Sequence, residues 1–199
     1  MDVSSKDVVA LREKTGAGMM DCKKALIEAN CSMEKAADIL REKGIASAQK
    51  RSGRETKHGY IAVYVHHGSR LATMVEVDCE TDFVSRNEDF QAFAQNVAMH
   101  IAAAAPLALS SEDLDPAVVA KEREIYKAQA LNEGKKPEFV DKIVDGRIKK
   151  FYSEACLLDQ IYIRDETKKK TVKDLLSELT GKIGEKIIIK QFARFQVGA

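Results

Sequence analysis

The sequence lacks the features that usually mark chemistry on a small molecule. None of its four cysteines forms a Cys-x-x-Cys pair, and no His-x-x-x-His accompanies them, so a structural zinc site is not expected. It has no glycine-rich phosphate loop and no evident pair of nucleophile and base. We therefore expect no metal, no cofactor and no enzymatic activity.

Neither sign of charge is in excess, because 32 Lys and Arg stand against 31 Asp and Glu, for a formal net charge of +1. Nucleic-acid and anionic-membrane binding usually require a strongly basic face, so neither is expected. No apolar run approaches the roughly 18 residues that span a bilayer. The first residues do not resemble a secretory leader. These absences predict a cytoplasmic protein with reduced thiols and no membrane contact.

What the sequence does contain is enough apolar material for a folded core. Its 199 residues, 45% of them hydrophobic, suit one ordinary domain with a small accessory one. Elements at both ends of the second part alternate like strands, and helical periods lie between them, which predicts an α+β fold. The predicted division is a three-helix domain over residues 1–45, a linker over 46–58 and an α+β core domain over 59–199.

The first 45 residues predict three short helices from their caps and glycines. Met19 and Met20 begin the second helix directly after a glycine turn. We expect one of them in the core and the other exposed, where a flexible side chain suits docking. Ser5 is predicted to cap the first helix, which is broken at Thr15 to Gly18. The second is predicted from about Met19 to Ala29, and the third is capped by Ser32 and ends at Gly44.

The stretch 46–58 shows no apolar periodicity beyond two alanines, which predicts a solvated linker. Its four basic residues could contact RNA. A hinge is the favoured interpretation, because no aromatic residue interleaves those charges as in single-strand binding surfaces.

Residues 59–199 combine strand and helix periods. Period-two alternation from Gly59, a turn at Gly68-Ser69 of type II′ and a return strand to Val77 predict a hairpin. The alternating segment from Glu185 to Val197 is predicted to pair with it, with one apolar face throughout. Helices are expected over residues 87–105, 116–132 and 137–151, and another after Thr171. The helices over 116–132 and 137–151 are predicted to form an antiparallel hairpin that contributes to the core. A short strand is expected at 160–163.

The segment from Asp78 to Val84 lies between a predicted strand and a predicted helix, so it is expected at an exposed turn. Its carboxylates have the spacing that opens a calcium loop, but Phe83 and Asp89 occupy the places that require Gly and Glu. The side chain of Phe83 could join the core or project towards another protein, and the residues alone leave both open. An aromatic ring among acids on a turn favours binding and remodelling a partner.

Two further residues are weighed as functional candidates. Cys79 could be a nucleophile, but the carboxylates of Asp78 and Glu80 favour its neutral thiol, so a plain strand cysteine is preferred. His100 lies beside the apolar stripe of a predicted helix, where a satisfied interior or rim histidine is the default.

Two motifs resemble the elongation factor Ts family, and the resemblance extends over the whole chain. One is the dozen residues from Thr15 to Leu26, and the other is the four residues from Thr81 to Val84. The resemblance implies a ubiquitin-associated-like three-helix domain at the N-terminus. It also implies a translation factor that binds the GTPase elongation factor Tu with GDP bound and promotes guanine-nucleotide exchange.

The resemblance further assigns roles to particular residues. The second motif is implied to insert near the partner's nucleotide site and to be linked to loss of its Mg²⁺. Longer members carry two core subdomains and a coiled-coil insertion, whereas this chain has room for one core, so a homodimer is a hypothesis. The implied site residues are Thr81, Asp82, Phe83 and Val84 at the nucleotide site, and Met19, Met20 and His100 for docking.

Three other functions stay open on the sequence. The N-terminal helices could serve a ubiquitin-associated-type adaptor that binds a small modifier. The basic linker could serve an RNA-binding accessory of the ribosome, with strongly salt-dependent binding. A cysteine hydrolase using Cys79 is disfavoured by its acidic neighbours.

Overall fold

The computed structural model describes residues 3–51 and 53–198, with the backbone alone for residues 45–50. Helices and one small sheet confirm the predicted α+β class. In chain order the elements are α1 (Ser5–Thr15), α2 (Met19–Glu28), α3 (Met33–Lys50), β1 (His58–Val65), β2 (Leu71–Cys79), α4 (Asp82–Ser85), α5 (Glu88–Ala104), α6 (Pro116–Asn132), α7 (Pro137–Ala155), a 3-10 turn (Leu157–Asp159), α8 (Val172–Ile183) and β3 (Ile187–Gln196).

The described chain divides into two compact units. Among the described residues, the first comprises 3–51, 53–62, 75–95 and 174–190, and the second comprises 63–74, 96–173 and 191–198. Each of the three strands has residues in both units. The division into domains over 1–45 and 59–199 with a linker over 46–58 stays a prediction.

Helices α1 to α3 form the predicted N-terminal group of three. The cap of α1 is Ser4 and not Ser5, since the Ser4 side chain accepts from the N–H of Lys6. Ser32 caps α3 as predicted, accepting from the N–H of Lys35. The buried side chains that join the three helices are Val8, Leu11, Cys22, Ala25, Leu26, Ala29 and Ala36.

The predicted end of the third helix at Gly44 is wrong, because α3 continues to Lys50. Gly44 does not adopt the left-handed conformation that ends helices, and open space surrounds the position of a Cβ there. A glycine inside a helix costs only about 1 kcal/mol relative to alanine, which the following helix-compatible residues can offset. The first part of the predicted linker is therefore helical.

The three strands form one sheet in the order β1-β2-β3. The backbone N–H of His66 donates to the carbonyl of Leu71, so β1 and β2 form the predicted hairpin. The predicted type II′ turn is wrong, because the N–H of Ser69 donates to the carbonyl of His66 and Gly68, at φ 84°, is therefore the second central residue.

The third strand does not keep one apolar face. Ile187 and Ile189 are buried, whereas Phe195 is exposed although it has the same parity. Two consecutive residues, Lys190 and Gln191, are exposed, so the alternation slips by one residue there, as a β-bulge would produce. The predicted single face from Ile187 to Val197 is therefore wrong.

The remaining helices follow their predicted start signals. The Oδ1 atom of Asp115 accepts from the N–H of Ala117, and Pro116 opens α6. The predicted strand at 160–163 is instead an isolated bridge between Ile161 and Thr171. The helical hairpin of α6 and α7 is held by the buried side chains Ala130, Val140, Val144 and Ile148.

No helix in the described ranges, 3–51 and 53–198, is both long enough and apolar enough to cross a membrane.

Candidate functional site

The candidate site is the turn Thr81–Val84, called the tip, where the chain leaves β2 and enters the four-residue helix α4. Thr81 caps this helix, because its Oγ1 accepts from the N–H of Val84 at 3.5 Å. The hydroxyl of Ser85 donates to the carbonyl of Asp82 at 2.8 Å, and the Gln91 side chain donates to the carbonyl of Ser85 at 3.1 Å. Side-chain bonds thus close a turn too short for an ordinary helical ladder.

Phe83 projects from the tip with 84% of its surface exposed. Of the two placements that the sequence left open, the structure therefore adopts the projecting one and not the core. Burying a phenylalanine removes a large apolar area from water, so a ring left this exposed is available to a partner.

The three alternating carboxylates before and within the tip have separate partners. Asp78 is buried and lies 3.4 Å from the Nζ of Lys190, while Asp82 lies 3.2 Å from the Nη2 of Arg86. Glu80 accepts from the guanidinium of Arg54 at 3.1 and 3.2 Å. Among the residues that the structure describes, no group of three or more His, Cys, Asp or Glu could hold a metal ion.

Two of these carboxylates have shifted pKa values of opposite sign. Burial, and then the charge of Glu76, raises the pKa of the Asp78 carboxyl against the opposing effect of Lys190. The backbone N–H of Lys186, and after it the guanidinium of Arg54, lowers the pKa of Glu80. Glu80 is therefore held as a carboxylate at neutral pH, in a bond to the chain just before β3.

Cys79 is a buried strand cysteine. Its Sγ donates to the carbonyl of Thr81 at 3.2 Å. Burial, followed by the charge of Glu185, raises the pKa of this thiol to about 11. The thiol is protonated at neutral pH, which removes the chemical basis for a nucleophile here.

The docking candidates Met19 and Met20 are 41% and 63% exposed at the start of α2, so the expectation that one of them is core is wrong. Gly16, at φ 68°, ends α1 just before them. The side chain of Lys182 packs over Gly16, where a Cβ would lie 2.8 Å from its Cδ, and the Nζ of Lys182 binds Asp89 at 2.7 Å. The left-handed backbone conformation favours glycine here, and the Lys182 side chain would have to shift if a Cβ were added.

His100, the third docking candidate, is completely buried. Its Nδ1 accepts from the backbone N–H of Ile163 at 3.3 Å, so Nε2 carries the proton and donates to Oε1 of Gln160 at 2.9 Å. Burial lowers the pKa of the imidazole. His100 is thus a satisfied interior histidine, and in this conformation it offers no surface for direct contact with a partner.

No motif in the sequence indicated Glu185. Its carboxylate accepts from the backbone N–H and from the hydroxyl of Thr81, at 3.1 and 2.7 Å, across 104 positions of chain. Arg54, predicted to lie in a solvated linker, is bound to Glu80. No local motif or spacing indicates either pairing, because both depend on how distant segments meet.

The comparisons with known proteins agree with one another. The family model described as Elongation factor TS matches residues 28–199. Proteins named Elongation factor Ts are 58% identical over 196 residues in Thermoanaerobacter sp. (strain X514), covering 98% of this chain and 95% of that relative, and 56% identical in Caldanaerobacter subterraneus subsp. tengcongensis, covering 98% and 97%. The relative from Nitratidesulfovibrio vulgaris is 53% identical over 199 residues, covering 100% and 98%. The relatives therefore extend beyond the family match towards the N-terminus.

Proposed function

The chain belongs to the elongation factor Ts family and is therefore a translation elongation factor, and we propose that it binds elongation factor Tu carrying GDP and promotes release of the nucleotide. In this role it makes and breaks no covalent bond, so it is an exchange factor acting on a GTPase and not an enzyme. The observation that carries the proposal is the exposed Phe83 on a turn closed by side-chain bonds.

An exchange factor leaves the overall equilibrium between free nucleotides unchanged. It acts by binding the nucleotide-free partner more tightly than the loaded one, and linkage makes the nucleotide weaken the factor by the same ratio. The nucleotide is held by charge-assisted bonds to its phosphates and by Mg²⁺. The factor must therefore disturb those groups when it binds.

Phe83 can supply a substantial part of the required coupling. Burying a phenylalanine in a partner pocket contributes about 1.5–3 kcal/mol, which corresponds to about one to two decades in an equilibrium constant. Asp82 lies next to the ring in the same short helix, and its side chain is about half exposed while paired with Arg86. We assign to Asp82 the disturbance of the groups that order the partner's Mg²⁺, and to Thr81 and Val84 the support of the turn.

Docking is proposed to begin at the N-terminal helices. Met19 and Met20 are exposed at the start of α2, and flexible thioether side chains adapt to a partner's surface. The likeness of these helices to a ubiquitin-associated domain belongs to the same proposal. His100 is assigned an indirect part, since the backbone of Ile163 that it binds leads into a segment with exposed side chains.

The test of this function is the Phe83→Ala variant. We expect GDP release at saturating factor to slow by about 10- to 100-fold, with the melting temperature unchanged, because the ring contacts the partner more than its own chain. Stopped-flow fluorescence with a GDP analogue bound to purified elongation factor Tu measures this rate. Phe139→Ala is the matched control, since Phe139 is also more than half exposed but lies on α7.

Unchanged stimulated release in Phe83→Ala would contradict the role of the tip. If the wild-type chain does not increase the rate of GDP release, the proposed exchange function itself is wrong. A lower melting temperature of Phe83→Ala would show that the ring packs against its own chain.

We propose that the chain forms a homodimer, because it has room for one core where longer family members have two. The pairing of His66 with Leu71 places Val63 opposite Met74 on one sheet face, and the bond from the N–H of Val197 to the carbonyl of Arg70 places Phe195 on that face too. This face carries a continuous group of exposed apolar side chains, which we assign to a second copy of the chain. Its members are Val63, Val65, Met74, Phe195 and Val197.

Light scattering tests the homodimer directly. We expect a dimer for the wild type and a monomer for Phe195→Lys, because a charge within an apolar interface is costly to bury. A wild type that is monomeric at working concentration would remove this part of the proposal without affecting exchange. A cytoplasmic location, with no contact to membranes or nucleic acids, completes the proposed function.

A further inference from the structure

Thr81, the residue that opens the tip, has a partner for each of its polar atoms. Its N–H and its hydroxyl both donate to the carboxylate of Glu185, at 3.1 and 2.7 Å. Its carbonyl accepts from the thiol of Cys79 at 3.2 Å and from the N–H of Ser85 at 3.3 Å. Since the hydroxyl proton points to Glu185, the Oγ1 lone pairs are left to cap the N–H of Val84. The backbone and the rotamer of Thr81 are thus both fixed.

A second carboxylate makes the reverse connection. Glu80, next to Thr81, accepts from the backbone N–H of Lys186 at 2.6 Å, and Lys186 follows Glu185 directly. The Nζ of Lys186 donates to the carbonyl of Arg54 at 2.7 Å, and the guanidinium of Arg54 binds Glu80. Each of the two segments therefore supplies a carboxylate to the backbone of the other.

The tip requires such bonds because little else can hold it. Helix α4 has four residues, fewer than an isolated helix needs to be stable. The ring of Phe83 is almost free of contacts with its own chain, so burial does not fix it. A projecting ring that is already oriented loses less conformational freedom on binding than one on a mobile loop.

We propose that Glu185 is a positioning residue for Phe83, and that its two bonds to Thr81 set the direction in which the ring leaves the tip. This inference rests on the proposed exchange function and adds to it a residue outside the tip motif. Glu185 acts through Thr81 and does not itself need to contact the partner.

The variant Glu185→Gln tests the proposal. The carboxamide has one acceptor oxygen in place of two, so it cannot accept from the N–H and the hydroxyl of Thr81 in the same way. We expect GDP release at saturating factor to fall by about five- to tenfold, because a charge-assisted bond is lost. The half-saturating concentration is expected to stay within about twofold of wild type, because Met19 and Met20 are untouched. Glu112→Gln removes an exposed carboxylate outside the site and is the matched control.

A double-mutant cycle with Phe83→Ala separates positioning from a merely structural role. If Glu185 acts through the ring, Glu185→Gln has little further effect on release once the ring is absent. An equal loss in both backgrounds would overturn the proposal. So would a Glu185→Gln variant with wild-type release when Phe83→Ala is slow.

Substitutions at Thr81 keep the test valid should Glu185→Gln fail to fold. Thr81→Ser retains both donors and is expected to stimulate release faster than Thr81→Val, which keeps the N–H, loses the hydroxyl and is expected to lose about as much as Glu185→Gln. Equal release by the Ser and Val variants would overturn the proposal. Absence of stimulation by the wild type would instead count against the exchange function, so the two failures are distinguishable.

Discussion

The tip and the helical hairpin of α6 and α7 both expose a phenylalanine, but they hold it in different ways. Phe139 lies on a nineteen-residue helix that is anchored by buried side chains such as Val140 and Val144. Phe83 lies on a four-residue helix that has no buried residue. The first ring is carried by apolar packing, and the second by hydrogen bonds from distant carboxylates.

This difference shows which exposed aromatic residue needs an explanation. A single exposed ring on a long amphipathic helix is ordinary, because the helix forms whether or not the ring is there. At the tip, polar bonds from Glu185 and Glu80 maintain a turn that buries little apolar surface of its own. We infer that these bonds hold the turn in place so that it presents Phe83 to a partner. The following predictions test this difference between the tip and the hairpin of α6 and α7.

The largest expected effect is on stability, in the hairpin. Ile148 is buried between α6 and α7, so Ile148→Ala is expected to reduce the free energy of unfolding by about 2–5 kcal/mol. Urea unfolding followed by circular dichroism measures this loss. Ile125→Ala, at a partly exposed position of α6, is expected to cost less than about 1 kcal/mol. Slowed GDP release by folded Ile148→Ala would show that the hairpin is more than a structural element.

A smaller effect is expected at Glu80, the residue before the tip, and it depends on pH. The pKa of Glu80 is lowered from 4.5, so its stabilising contribution is fully present above that pH and is lost as the pH falls through the lowered value. The melting temperature of Glu80→Gln should therefore lie below that of wild type at pH 7, by no more than about 3 °C, and approach it in acid. Glu124→Gln on α6 is the control, and a difference independent of pH would contradict the assignment.

The smallest effect has the opposite sign. Gly146 lies within α7 at an exposed position where a Cβ would meet no atom within 4 Å. Gly146→Ala is expected to raise the free energy of unfolding by about 0.5–1 kcal/mol, because alanine loses less conformational freedom in a helix. Thermal unfolding measures the gain, and a loss of stability would show that α7 depends on more than helix propensity and its apolar stripe.

Much of the fold could be predicted because its signals are local. The Asp115-Pro116 pair fixed the start of α6, and the stripe containing Phe90, Phe93 and Val97 fixed α5. The tip could be placed at the end of a strand by the same reasoning. That Phe83 projects from it could not, since an aromatic residue is compatible with either environment.

The errors arose where tertiary contacts decide. Gly44 did not end α3, and the alternation of β3 slipped at Lys190. At both positions the local residue types do not determine the backbone conformation by themselves. His100 is an interior histidine, as its place beside the apolar stripe predicted, but its partner Gln160 lies sixty positions away and could not be predicted. Glu185 could not be found at all, since its role consists of bonds to a residue in a different part of the chain.

The contact between Lys182 and Gly16 brings the two proposed partner-binding segments to one short stretch of backbone. The Lys182 side chain packs against Gly16, shortly before Met19 and Met20. Glu185, three positions after Lys182, accepts two hydrogen bonds from Thr81. If Met19 and Met20 bind the partner as proposed, a force on them would reach the same residues that hold Thr81 in place. A change that increases the mobility of residues 182–186 would weaken the contacts to Gly16 and to Thr81 together, without altering either of the two sequence motifs.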